Sequence, residues 1–122
     1  MSETSPDTDP TTTATRDIAD VAAVEVITTA AVHLMSAAAV KCGLSPDTDG
    51  VRGRDLMDLD EARKLITALA GLVTASAADV GNQHARSLRD GLRSLQLAFR
   101  EASPFPDAPG DGPGEKFTGP VV

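Results

Sequence analysis

The chain has 122 residues, a formal net charge of −7, no Trp, no Tyr, three Phe and one Cys. This length allows a single domain with a small core, because a short chain removes only a modest share of its surface from water. The negative charge disfavours proteins whose main task is to bind nucleic acid or an anionic membrane. A single cysteine cannot form an internal disulfide, and the first residues lack the basic start and apolar stretch of a signal peptide. We therefore expect a cytoplasmic protein.

Both ends of the chain differ in composition from its middle. Residues 1–16 are rich in Thr, Asp, Pro and Ser, and residues 103–122 are dominated by Pro, Gly and Asp. Segments of this kind bury too little apolar surface to offset the entropy lost on ordering. The sequence predicts disordered tails at residues 1–16 and 103–122 and a helical domain at residues 17–102.

A long apolar segment predicts the first helix. It should begin between Asp17 and Asp20, whose charge suits the positive end of a helix, and end at Gly43, a residue type common just after a helix. One face carries apolar residues at helical spacing: Val24, Ile27, Ala31, Leu34, Ala38 and Cys42.

Apolar residues also extend around most of this first helix. Two short partner helices would not be expected to cover so wide a surface, so the pattern favours a homo-oligomer, most simply a homodimer. The same segment is the best candidate for a membrane span, but Glu25, His33 and Lys41 lie inside it. Charged residues at mid-membrane depth are costly, so we interpret the segment as a buried helix of a soluble protein and expect no membrane partner.

Two further helices are predicted to form a hairpin after a loop at residues 44–57. Asp58, with Glu61 three residues later, has the spacing of a capping box and marks the start of the second helix. Gly81 should end this helix, and Asn82 should cap a third that runs to about Ala102. Their inward stripes are Ala62, Leu65, Ile66, Leu69, Leu72, Val73 and Ser76, then Leu88, Leu92, Leu95 and Phe99.

The predicted fold class is therefore all-α, a small three-helix domain with a long first helix and a helical hairpin, between disordered tails. Gly71, in the middle of the second helix, either marks a close contact on a second face or is a tolerated surface glycine.

Three short runs of sequence resemble those of a known family. They are Ala31-Val32-His33-Leu34, Asp58-Leu59-Asp60-Glu61-Ala62-Arg63 and Leu92-Arg93-Ser94-Leu95. Over roughly residues 26–102 the chain resembles the uncharacterised bacterial family named domain of unknown function 1844. The run from Gly112 to Val121 resembles the branch of that family found in high-GC Gram-positive bacteria, whereas the turn Val80-Gly81-Asn82-Gln83-His84 departs from the usual pattern. The resemblance implies a helical cytoplasmic protein and transfers no activity, ligand or catalytic residue.

Four arginines recur along one side of the third helix, at spacings that bring their guanidinium groups together: Arg86, Arg89, Arg93 and Arg100. Planar guanidinium groups suit bidentate pairing with phosphate or carboxylate. This stripe could contact RNA or an acidic partner, or it could be a solvated face that pairs with Asp90 and Glu101. The net charge and the scarcity of aromatic residues for stacking disfavour nucleic acid.

Phe117 is the second unusual feature, because disordered segments are usually poor in aromatic residues. We interpret it as an anchor of the C-terminal tail that docks onto another protein or a neighbouring subunit.

Catalysis and metal binding are disfavoured by the sequence. His33, His84 and Cys42 lack the paired spacing of structural zinc sites, and no cofactor-binding motif is present. No neighbouring base is evident that would activate Cys42 as a nucleophile. We expect a non-enzymatic interaction or accessory protein without a cofactor, which self-associates through its helices and binds a cytoplasmic partner through its C-terminal tail. The alternative is a ribosome- or RNA-associated accessory factor that uses the arginine stripe.

Overall fold

The computed structural model describes residues 18–121, so the predictions for residues 1–17 and for residue 122 lie outside it. After a helical turn at residues 18–20, the chain forms α1 (Ala23–Lys41), a 3-10 turn (Gly53–Leu56), α2 (Leu59–Ser76), α3 (Asn82–Ala102) and the short α4 (Glu115–Thr118). Helix α1 packs on α2 and α3, and α2 packs on α3 and α4. This is a small all-α domain, as the apolar periodicity predicts.

The ends of α1 follow local backbone chemistry. The helix ends at Lys41, and Gly43 then adopts a φ of +82°, a conformation that glycine reaches without the strain of a Cβ. Its beginning differs from the prediction, since α1 starts at Ala23 rather than between residues 17 and 20. Ala22 has extended backbone and no side-chain cap, so the helical turn at residues 18–20 is separate from α1.

One half of the capping box predicted for α2 is present, the N-cap bond to Asp58, whereas the carboxylate of Glu61 pairs with Lys64 instead of returning to the backbone of Asp58. The carboxylate of Asp58 accepts a hydrogen bond from the backbone N–H of Glu61 at 3.3 Å. The backbone N–H of Asp58 also donates to the carbonyl of Lys41 at 2.8 Å, so α2 begins beside the end of α1. Helix α2 ends at Ser76 rather than at Gly81, because residues 77–80 form a turn that buries Val80.

The core lies where α1, α2 and α3 meet. It is built from the predicted stripes of α2 and α3 and from small residues of α1; its fully or largely buried members include Ala31, Ala38, Ala62, Ile66, Leu69, Val73, Leu88, Leu92, Leu95 and Phe99. Alanine contributes little buried area, so α2 and α3 supply most of the apolar stabilisation.

Helix α1 presents a mixed outer face to solvent. Val26 is 46% exposed and Val32 is 54% exposed, whereas Ala31 and Ala38 are fully buried. By length and composition α1 could cross a membrane, with a mean hydropathy of 1.6 and 11% of the segment buried. A core helix of a soluble protein and a signal sequence near the N-terminus both meet the same criterion, so this is weak evidence. Within one chain, α1 is therefore less buried than the buried helix that the sequence predicts.

The C-terminal segment, residues 103–121, is where the structure departs most from the prediction. It lies against α2 and α3 and contains α4, which corrects the expectation of a disordered tail for these residues. Gly114 has a φ of +75°, and a Cβ there would lie 2.6 Å from the Cβ of Ala70, so only glycine allows this close approach. The composition that predicts disorder instead permits tight turns against α2, where Ala70 and Gly71 are small.

Candidate partner-binding cleft

Polar side chains of α2 and α3 hold the C-terminal segment in place. Gln96 is buried, and its amide nitrogen donates to the carbonyl of Pro113 at 3.0 Å and to the hydroxyl of Thr118 at 3.1 Å. A buried amide of this kind needs such partners, because an unsatisfied polar group in the core is costly. Gln96 therefore ties α3 to the turn before α4 and to the last residue of α4.

Two arginines hold the preceding part of the segment. The guanidinium of Arg63 pairs with the carboxylate of Asp107 at 2.9 Å and stacks over the ring of Phe99, with 5.0 Å to the ring centroid. Arg100 donates to the backbone carbonyl of Asp107 at 3.2 Å. The Arg63–Asp107 pair is partly exposed and contributes on the order of 1 kcal/mol or less, so it orients the segment more than it stabilises the fold.

Glu115 closes the turn before α4. Its side chain is buried, and its carboxylate accepts a hydrogen bond from the backbone N–H of Gly110 at 2.8 Å. A Cβ on Gly112 would clash with the carboxylate of Glu115, so a larger residue there would force this side chain to move. These contacts hold the turn that leads into α4, the helix that carries Phe117 and Thr118.

A cleft of about 370 Å³ lies between α2, α3 and the C-terminal segment. Val73, Leu92 and Val121 are buried apolar residues on its floor. Its remaining lining residues are Thr74, Arg89, Arg93, Gln96, Phe117, Thr118 and Pro120. An apolar floor beside two guanidinium groups suits a ligand that carries an apolar group next to an anion.

The structure separates the four arginines singled out from the sequence. Arg89 and Arg93 line the cleft, and Arg86 is exposed one turn earlier on α3. Arg100 is half-buried and bonds to the C-terminal segment, so it does not share the exposed side of the other three.

Phe117 lies over Gly71 of its own chain. A Cβ on Gly71 would be 3.4 Å from the ring, so the glycine provides the flat surface on which Phe117 rests. The side chain remains 43% exposed, and the ammonium of Lys116 lies 5.1 Å from the ring centroid. Gly71 thus marks a close contact on a second face of α2, which is one of its two interpretations, and the contacting residue belongs to the short helix α4.

The sequence did not single out Gln96 as part of this site, although one signal was available. Gln96 lies four residues after Leu92 and three before Phe99, inside the apolar stripe of α3. A polar amide at such a position indicates a buried hydrogen-bonding partner.

The other chemically distinctive side chains lie apart from the cleft. Cys42 is buried, and desolvation raises the pKa of its thiol, which disfavours the reactive thiolate. His33 and His84 are exposed. Within residues 18–121, no group of three or more His, Cys, Asp or Glu side chains could hold a metal ion.

The architecture and the cleft define a small all-α protein whose C-terminal segment is docked on a helical hairpin. The sequence model of one family, described as "Domain of unknown function (DUF1844)", matches residues 23–101. The chain belongs to this family, in agreement with the resemblance of its three helices. The match extends from α1 almost to the end of α3, so Phe117 and the segment that carries it lie beyond the matched residues. Comparisons with curated proteins and with solved structures gave no match.

Proposed function

We propose that this protein is a non-catalytic cytoplasmic interaction protein, which binds a protein partner in the cleft and self-associates through its helices. The observation that carries the proposal is the meeting of Arg89, Arg93 and Phe117 around one cavity with an apolar floor. The two arginines belong to α3, whereas Phe117 belongs to α4, and the arginine pair and Phe117 stand out from the sequence for separate reasons.

The chemistry of the cleft selects one class of partner. Guanidinium groups beside buried Val73 and Leu92 favour a peptide segment in which an acidic side chain neighbours a large apolar one. A half-exposed aromatic ring at the rim adds contact area at a low entropic cost, since Phe117 is already held against Gly71. The partner of this proposal is therefore an acidic and apolar segment of another protein.

The runner-up function is an RNA- or ribosome-associated accessory factor, and it is supported by the exposure of Arg86, Arg89 and Arg93 along α3. The net charge of −7 opposes it. So does the small aromatic surface available for base stacking: Phe99 is buried and Phe117 is half-covered, which leaves Phe105, at 92% exposed, as the one largely exposed ring among the three Phe.

Peptide display on the immobilised full-length chain tests the proposal, followed by solution binding of the selected peptides. We expect enrichment of peptides that place Asp or Glu beside Leu, Ile or Phe. Arg89→Glu should weaken their binding by about tenfold or more, because it replaces an attraction with a like-charge contact. The matched control is Arg54→Glu, the same charge change at an exposed arginine in the 3-10 turn.

A single-stranded RNA homopolymer is the probe for the runner-up. Phosphate contacts release counterions, so RNA binding should fall steeply between about 50 and 200 mM salt, whereas a contact with an apolar core should change little. Selected peptides that bind Arg89→Glu as tightly as the unmodified chain would contradict the proposal. Salt-sensitive RNA binding that is lost in the same variant would favour the runner-up.

A further inference from the structure

The outer face of α1 carries a row of three exposed residues at four-residue spacing, Glu25, Thr29 and His33. This row lies within a shallow surface depression of about 610 Å³ that also includes Val26. Val26 and Val32 flank the row on opposite sides, and about half of each side chain is exposed. Exposed branched apolar residues on both sides of a polar row mark a surface suited to another helix.

The row is self-complementary about Thr29. Val26 precedes this residue by three positions, and Val32 follows it by three. Glu25 precedes it by four, and His33 follows it by four. A two-fold interface requires that if residue i contacts residue j of the partner, then j contacts i of the partner. Two copies of α1 in antiparallel orientation, crossing at Thr29, would place each Glu25 beside the other copy's His33. A parallel orientation would place Glu25 beside Glu25.

The geometry of helix packing permits this arrangement. Rows of residues spaced by four pack along each other in the commonest class of helix contact, with a crossing angle of about −50° and axes about 8–10 Å apart. Such a separation needs small residues near the crossing point, and Ala30 and Thr29 occupy it. An imidazole donates an N–H to a carboxylate in either of its charge states, so each Glu25–His33 contact is favourable.

We propose that a second copy of this chain docks on the outer face of α1, antiparallel and centred on Thr29, with two reciprocal Glu25–His33 contacts. This inference deepens the self-association in the proposed function and rests on it. A lipid surface explains the same face less well, because Glu25, Thr29 and His33 would enter the hydrocarbon together with the valines.

Sedimentation equilibrium of the full-length chain and its variants tests the inference. His33→Glu should weaken dimerisation by at least about tenfold, because it sets Glu25 against a second carboxylate at two equivalent contacts. The double variant Glu25→Lys with His33→Glu should restore dimerisation, since it again sets a donor against a carboxylate at both contacts. His84→Glu, the same substitution at an exposed histidine of α3, is the matched control and should leave the dimer unchanged.

Disulfide crosslinking tests the orientation. Mixing the Glu25→Cys and His33→Cys variants should give an oxidised heterodimer linked between positions 25 and 33, whereas a parallel dimer would link position 25 to 25. Mapping the linked peptides distinguishes these products from any that involve Cys42.

The outcomes separate the inference from the function on which it rests. A dimer insensitive to His33→Glu would overturn the antiparallel α1 contact and leave self-association standing. A chain that is monomeric at all concentrations would overturn both, and so would a monomer that co-sediments with vesicles of zwitterionic and anionic phospholipid. None of these results bears on peptide binding in the cleft, which Arg89→Glu tests separately.

Discussion

Gln96 holds the C-terminal segment on α3, and replacing it tests how that segment is stabilised. Its amide nitrogen donates to the carbonyl of Pro113 at 3.0 Å and to the hydroxyl of Thr118 at 3.1 Å, and the residue is 3% exposed. Gln96→Ala removes both hydrogen bonds. It also leaves the carbonyl of Pro113, a buried residue, without this donor.

The magnitude follows from the hydrogen bonds that are lost. Each hydrogen bond contributes a net of about 1 kcal/mol, and a buried acceptor left unsatisfied costs about 1–3 kcal/mol. The docked segment should therefore lose about 2 to 3 kcal/mol relative to the open one. Since about 1.4 kcal/mol corresponds to a factor of ten, its opening constant should rise roughly 30- to 140-fold.

Hydrogen exchange measured by mass spectrometry is the direct assay. Backbone amides in residues 110–119 should exchange faster by that factor in Gln96→Ala, while amides of α1 should keep their exchange rates. Gln83→Ala removes an exposed glutamine from the first turn of the same helix and serves as the control. Unchanged exchange in the C-terminal segment would refute the role assigned to Gln96. A uniform increase over the whole chain would refute local opening, because it would show that the segment and the core unfold together.

Three further predictions concern the helices and the buried thiol. Gly71→Ala should raise the free energy of unfolding by up to about 1 kcal/mol, because alanine is more favourable than glycine inside a helix. The added Cβ would lie 3.4 Å from the Phe117 ring, which is an ordinary van der Waals contact. A lower melting temperature would show that the ring cannot adjust. Asp58→Ala should lower the free energy of unfolding, measured by urea denaturation, by about 1 kcal/mol, because the N–H of Glu61 loses its hydrogen-bond acceptor. Asp58→Asn keeps a side-chain oxygen at this position and should recover most of that loss. In the folded chain, the thiol of Cys42 should react slowly with an aromatic disulfide at mildly alkaline pH, because burial raises its pKa. In denaturant the same thiol should react rapidly. Fast reaction in the folded chain would contradict the burial of Cys42.

The elements that sequence reasoning predicted correctly are those fixed by nearby residues. Asp58 and Glu61 are three positions apart, so their capping interaction could be inferred without knowledge of the fold. The stripe Leu88, Leu92 and Leu95 is likewise a local pattern, because helical spacing alone places these residues on one face. All three leucines are buried.

The docking of the C-terminal segment could not be predicted in the same way, because its contacts join residues that are distant along the chain. Arg63 and Asp107 are 44 positions apart. The Pro- and Gly-rich composition indicates disorder when the segment is considered alone. Whether it docks depends on a surface elsewhere, namely Ala70 and Gly71 of α2, whose small size admits Gly114 and Phe117.

The candidate site was predicted in parts. The four-residue spacing of Arg89 and Arg93 places both on one side of α3, and the unusual position of Phe117 singled it out. Their convergence on one cleft required the docked segment, which brings Phe117 from its position beyond α3 back to the middle of α2. The same contacts remove Arg100 from the arginine stripe, because its guanidinium bonds to the backbone of Asp107.

The two proposed surfaces are compatible and together have a consequence for binding. Among the described residues that line the cleft, none belongs to α1, so a dimer joined through Thr29 of α1 would leave both clefts open. Two identical clefts on one dimer raise retention on a dense array of sites by avidity, about a hundredfold or more where the spacing permits. His33→Glu should therefore reduce retention on a surface densely coated with a selected peptide, while the affinity for a single peptide in solution stays the same. Equal losses in both formats would show instead that the substitution damages the cleft, and that the two surfaces are not independent.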